Sequence, residues 1–140
     1  MRCRPFAGLL VLGAVACGSS AVAPSPTLTS FHWSGGAAAA PATAVTATGG
    51  RGRIDVSGST DTPTPCYGLV GELSATGSDV QVRVIARSIT TANCITALGR
   101  YAYTGVVTLP SGTYALTIVH TYPDAGWPTV EAFRQTVKVE

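Results

Sequence analysis

The sequence predicts an all-β domain, an antiparallel β-sandwich of about seven strands, and three observations carry that reading. Apolar residues recur with period two in segment after segment from about residue 43 onward, the pattern of strands with one buried face. Clusters of glycine, proline, serine and aspartate interrupt those segments at the spacing of tight turns. No segment carries a capped apolar stripe at helical spacing, so essentially no helix is expected.

The chain opens with an address rather than a fold. Residues 1–16 place Arg2 and Arg4 before an apolar run from Phe6 to Ala16, followed by a cysteine and small residues, which is the outline of a signal peptide. The run is too short to span a bilayer, which takes about 20 apolar residues. Ala14-Val15-Ala16-Cys17 resembles the lipobox of bacterial lipoproteins. That resemblance implies cleavage before Cys17, acylation of its thiol and new amino group, and a membrane anchor through the N-terminal lipid. Ala14 departs from the leucine commonest at that place in the motif. Ala14-Val15-Ala16 also satisfies the Ala-x-Ala rule, so simple secretion is the alternative.

Residues 17–42 are expected to be the lipidated cysteine and a flexible tether. All but six of the 33 residues from 18 to 50 are Ala, Gly, Ser, Thr or Pro, too little apolar surface to offset the entropy of ordering them. Within that stretch Phe31-His32-Trp33 is read as packing loosely on the domain or sitting in solvent.

The β-sandwich domain is expected over residues 43–140. Ile54 and Val56 share one face of the segment 51–58; Tyr67, Leu69, Gly71, Leu73 and Ala75 share one face of the next. Val80, Val82, Val84 and Ala86 alternate with Gln81, Arg83, Ile85 and Arg87. Tyr101, Tyr103, Gly105, Val107 and Leu109 follow, then Tyr114, Leu116, Ile118 and His120, and finally Phe133, Val137 and Val139 with Gln135 as an inward exception or bulge marker. Gly49-Gly50 reads as a two-residue hairpin turn. The stretches 61–65, 76–78, 110–112 and 123–128 read as loops.

Leu109-Pro110-Ser111-Gly112-Thr113-Tyr114 resembles the approach to the penultimate strand of immunoglobulin-like and fibronectin type III-like domains, where a Pro-Gly turn feeds a strand that opens with tyrosine. The resemblance implies a tyrosine that ties the corner through its hydroxyl. The chain departs from an antibody-type domain in having no tryptophan between Cys66 and Cys94, and a shorter cysteine spacing. As a whole it resembles small Ig-like lipoproteins of high-GC bacteria, mostly of no assigned function.

Charge narrows the partners. Charged residues make up 11% of the chain and the formal net charge is +2, against about 25% charged residues in ordinary domains. Without Arg2 and Arg4, seven basic and seven acidic side chains balance from residue 17 onward. Nucleic acid is therefore not an expected partner.

Cysteine usage fits export. With Cys3 in the leader and Cys17 at the lipid site, Cys66 and Cys94 remain, 94 − 66 = 28 residues apart. In an oxidising compartment a disulfide is the natural reading. A metal is the rival, but two cysteines without further ligands nearby do not close a zinc tetrahedron, so no metal is expected. No cofactor is expected either.

Catalytic chemistry finds no foothold. Only His32 and His120 offer a candidate general base of the histidine type; the first lies in the tether and the second on a predicted inward face, where a structural role is the simpler reading. No phosphate loop, HExxH or calcium-loop pattern appears. The protein is read as not an enzyme, with no catalytic residues.

The most suggestive surface is the loop after residue 119, where His120, Tyr122 and Trp127 set aromatics around a proline-rich turn as a candidate binding loop. The blander reading, preferred here, is that Trp127 folds back and plugs the end of the sandwich. Arg83 and Arg87 are read as a solvated face. The expectation is a non-enzymatic, lipid-anchored module of the bacterial cell envelope, facing the periplasm or exterior, that binds a protein or glycan or acts structurally. The alternative is a proteinase inhibitor presenting the loops 61–65 and 123–128 at one end of the sandwich.

Overall fold

The computed structural model describes residues 24–37, 41–89 and 93–140. The proposed leader, Cys17 and the first residues after it lie outside that range. Eight strands follow in order: β1 (Thr27–Ala37), β2 (Thr46–Gly50), β3 (Arg53–Thr62), β4 (Tyr67–Thr76), β5 (Asp79–Ser88), β6 (Gly99–Thr108), β7 (Gly112–Tyr122) and β8 (Trp127–Val139). They form two four-stranded sheets, ordered β1-β6-β3-β2 and β4-β5-β7-β8. The all-β sandwich is as expected, and the described residues contain no helix.

The pairing is not wholly antiparallel: β5 and β7 run parallel, Arg83 beside Val119 and Ile85 beside Thr121. Two reversals cause this. The chain leaves β5, crosses to the opposite sheet as β6, and returns as β7 in the original direction.

The expected tether is corrected by β1. Thr27–Ala37 is an edge strand paired antiparallel along nearly the whole of β6, from Thr27 beside Thr108 to Ala37 beside Gly99. Composition misleads here because β1 needs few apolar side chains of its own. A register shift between Leu28 and Ser30 breaks period two and returns Leu28 and Phe31 to one face, where both half-bury against the core. Phe31 stacks on Tyr103 at 5.9 Å between ring centroids, and Trp33 meets Tyr101 edge-on at 5.5 Å. On the facing sheet, a Cβ at Gly71 would lie 2.5 Å from the Phe31 ring, and one at Gly68 would lie 3.2 Å from Trp33. Two missing side chains on β4 thus make the seat that β1 occupies.

The first hairpin turn sits two residues later than expected. Gly49 and Gly50 still belong to β2, Gly50 facing Arg53, and the turn is Arg51-Gly52 with Gly52 at φ +67°. Gly49 is needed for another reason: its Cβ would collide with the Lys138 carbonyl, so its absence lets the end of β8 close against β2. Glu140 completes the seam, donating its amide to the Gly50 carbonyl and accepting from the Gly52 amide.

The inward faces read from alternation fill the core: Ile54, Val56, Tyr67, Leu69, Val80, Val82, Val84, Tyr101, Tyr103, Val107, Leu116 and Ile118 are all buried. Gln135 keeps phase opposite Leu116 but is exposed near the sheet edge; the two β7–β8 irregularities fall between Ile118 and Val119 and between His120 and Tyr122 instead. The Tyr114 hydroxyl donates to the Pro110 carbonyl at 2.9 Å, tying the corner between β6 and β7. Cys66 and Cys94 are joined, with Cα atoms 6.0 Å apart, pinning the β5–β6 crossover to the start of β4.

The sandwich has two poles. Pro24 and Pro26 lie beside Gly77 and Pro110, at the pole of the β4–β5 and β6–β7 turns. The disulfide, the loop before β4 and the β7–β8 turn share the other pole, where Ile89 donates to the Cys66 carbonyl and Ser88 to Asp124.

Two stability outcomes follow from these contacts. Gly71→Val keeps strand propensity but intrudes on Phe31; it is expected to destabilise by about 1–3 kcal/mol, with hydrogen exchange accelerating across Thr27–Ala37 more than elsewhere. Unchanged protection in β1 would show that the glycine seat does not hold it. Replacing both Cys66 and Cys94 by alanine opens a loop of 28 residues, worth roughly 3–4 kcal/mol in the chain-entropy model. A fall in Tm on the order of 10 °C or more is expected, read by circular dichroism with and without the bond.

Candidate functional site

The structure separates the three residues of the expected binding loop. His120 points inward from β7 and is 5% exposed, sharing a 2.9 Å hydrogen bond between Nε2 and the Tyr103 hydroxyl. The two rings meet edge-on at 5.6 Å. Burial lowers the His120 pKa to about 4, so the imidazole is neutral near neutrality. The same burial raises the Tyr103 phenol, which stays protonated. An imidazole so enclosed reaches no substrate.

Tyr122 is also buried. Its hydroxyl shares a 2.7 Å hydrogen bond with the Thr60 hydroxyl across the core, and burial raises its pKa against that hydrogen bond. Tyr122, not Trp127, therefore plugs this end of the sandwich. Trp127 opens β8 opposite Tyr122, packs edge-on against its ring at 5.4 Å, and remains 37% exposed. Prolines on either side, Pro123 in the turn and Pro128 after the tryptophan, restrict the backbone that carries it.

Trp127 stands at the rim of an open groove of about 640 Å³ on the outer face of the β4-β5-β7-β8 sheet. The parallel register of β5 and β7 builds it. Ile85 and Val119 alternate outward, yet they are 4% and 8% exposed and line the groove together. Arg83 and Glu72 lie side by side on adjacent strands, in an ion pair at 3.5 Å between exposed side chains. Gln81, Arg87, Thr121 and Thr129 complete a polar wall. Arg87 forms no ion pair among the described residues.

Sequence reasoning saw parts of this groove without seeing the groove. It placed Gln81, Arg83, Ile85 and Arg87 on one outward face, and Ile85 was the signal: an aliphatic residue on a polar face needs cover. It missed Val119, Thr121 and Thr129, which only the β5–β7 pairing and the β7–β8 pairing beyond it bring alongside, and Glu72, which the β4–β5 register sets beside Arg83.

The loop 61–65 is braced rather than free. Asp61 accepts from the Arg100 guanidinium at 2.6 and 3.0 Å, and that contact holds its carboxyl below the usual range. The Thr62 hydroxyl donates to the Thr64 carbonyl at 2.7 Å. Tyr101, fully buried on β6, donates its hydroxyl to the Pro65 carbonyl and accepts from the Tyr67 amide. His32 sits exposed on β1 opposite Thr104.

No family model matches the chain, and neither does any curated protein or any solved structure.

Acid should unfold the domain in a defined window. The unfolded imidazole titrates near 6.5 and the folded His120 near 4, so between those values the unfolded chain binds the extra proton. The neutral histidine's contribution is whole above pH 6.5 and is lost progressively toward pH 4, by up to about 3 kcal/mol. Urea midpoints at pH 7 and pH 4.5 check this; His120→Gln should flatten the difference, leaving only carboxylate effects such as Asp61 at lower pH. Trp127→Ala should lower stability by about 1–2 kcal/mol, the worth of one partly exposed aromatic pair, and not the 3–5 kcal/mol of a buried tryptophan. Thermal unfolding distinguishes the two.

Proposed function

We propose that the protein is a non-enzymatic, lipid-anchored module of the bacterial cell envelope that holds a partner in the outer groove of β5 and β7. The observation that supports this best is Trp127: a large aromatic ring kept part-exposed by its own packing partner, beside an apolar floor and a wall of polar side chains. Such a mixture of apolar floor and few convergent polar groups is the usual make-up of a ligand surface. The anchor reading rests on residues 1–17, where a charged start, an apolar run and Ala14-Val15-Ala16-Cys17 follow one another. It is compatible with the groove, because the described chain starts at the opposite pole from Trp127.

One observation keeps a second reading in view. The loops 61–65 and 123–128 share a pole, joined through the Thr60–Tyr122 hydrogen bond, as a loop-presenting proteinase inhibitor requires. The carbonyls of Thr64 and Pro65 are already engaged by hydroxyls within the domain, which favours the groove.

Two measurements test the proposal. Cys17→Ser should move the protein from the membrane to the soluble fraction while leaving its thermal unfolding unchanged; persistence in the membrane after a high-salt wash would overturn the lipid anchor. Full-length protein should capture a defined component of envelope extract that Trp127→Ala fails to capture. Capture independent of Trp127 would overturn the groove as the binding surface, and sub-micromolar inhibition in a peptidase panel would move the binding surface to the loops.

A further inference from the structure

We infer that the groove takes an acidic oligosaccharide, a short sugar chain bearing carboxylates; this rests on the reading of the groove as the binding surface. The position of the groove excludes the commonest way of holding a peptide. β5 and β7 are the two inner strands of their sheet, and their backbone groups are spent on the β4·β5, β5·β7 and β7·β8 ladders. A peptide laid across them would find no free strand edge with which to pair. Recognition must therefore come from side chains alone.

Those side chains suit a sugar. A pyranose presents one face of C–H bonds and a circumference of hydroxyls. The Trp127 ring, fixed by Tyr122 and still exposed, offers a flat apolar surface for the C–H face. Gln81, Thr121 and Thr129 line the groove with donors and acceptors for the hydroxyls. A volume of about 640 Å³ admits two or three sugar units.

Charge sets the class. Arg83 is balanced by Glu72. Glu131, beside Val119 on the next strand, is engaged by Arg134 at 2.7 Å. Arg87 is left as a guanidinium with no anionic partner among the described residues, on the wall of the groove. A guanidinium fork matches a carboxylate in two parallel hydrogen bonds. The unbalanced charge thus selects a ligand with at least one carboxylate over a neutral one.

The test uses the full-length protein in detergent, with oligogalacturonate as the acidic sugar, a cello-oligosaccharide of equal length as the neutral one, and polyglutamate as the acidic peptide. Tryptophan fluorescence and calorimetry read binding. Oligogalacturonate is expected to bind saturably at one site per chain, more weakly as salt rises. Arg87→Gln, an exposed change that should leave thermal unfolding intact, is expected to weaken it about tenfold, the worth of one charge-assisted contact. Trp127→Ala should remove it. Equal binding of the neutral sugar, or oligogalacturonate binding indifferent to Arg87, overturns the acidic class. Preference for polyglutamate with the same Trp127 dependence overturns the sugar and leaves the groove in place. Failure of all three probes overturns this inference, while Trp127-dependent capture from envelope extract decides the underlying reading separately.

Discussion

A phenol buried without a hydrogen-bond partner costs roughly 1–3 kcal/mol, and a fully packed tyrosine brings that liability with it. This sandwich places two such residues, Tyr101 and Tyr103, next but one to each other on β6, almost wholly buried. Much of the architecture is the set of solutions to their hydroxyls. Tyr101 is satisfied by the Pro65 carbonyl and the Tyr67 amide, which fixes how the chain leaves β3 and starts β4 in the other sheet. Tyr103 is satisfied by His120, which fixes the inward face of β7. Their rings in turn carry Trp33 and Phe31, and so carry β1. Among the described residues no buried side-chain nitrogen or oxygen is left without a partner.

The same need explains why His120 is where it is. A histidine in a core is a poor choice on hydrophobicity alone, and burial disfavours its charged form. Opposite Tyr103 it provides the hydrogen-bond partner that an aliphatic residue could not. Thr60 does the equivalent for Tyr122 at the end of the core. Both of these pairs are drawn from opposite sheets, and each sets the relative position of the two sheets.

Much of the fold was legible because the core strands alternate without interruption: β5 runs Val80, Val82, Val84, Ala86, and no other register would bury all four. What was not legible depended on contacts between distant segments. β1 looked like a tether because its bulge hid the common face of Leu28 and Phe31, and because its seat is made by glycines some 40 residues later (Gly71 − Phe31 = 40). The groove was hidden for a similar reason. Alternation shows that Ile85 faces away from the core, but not that Val119 will lie near it, since parallel neighbours announce themselves by no shared turn. Trp127 and Tyr122 exchange expected places for a local reason: the hydroxyl of Tyr122 has Thr60 to meet, and the indole has no such partner among the described residues.

The disulfide changes the chain's connectivity as seen by the folding process. In the reduced chain, β3 and β6 begin their ladder between Thr62 and Gly99, 99 − 62 = 37 residues apart. Once Cys66 is joined to Cys94, the path between the same two residues runs through four steps to Cys66, the bridge, and five steps from Cys94. A long-range pairing becomes one closed across a loop of hairpin size, and the entropy of closing it falls accordingly. β6 then stands ready beside β3 as the template for β1, whose own pairing spans 108 − 27 = 81 residues and stays long even through the bridge, 66 − 27 = 39 steps to Cys66 and 108 − 94 = 14 from Cys94. All-β chains dominated by distant pairings fold slowly. Where the bond forms, it brings the central ladder within reach and leaves the pairing that covers Phe31 and Trp33 the more distant of the two.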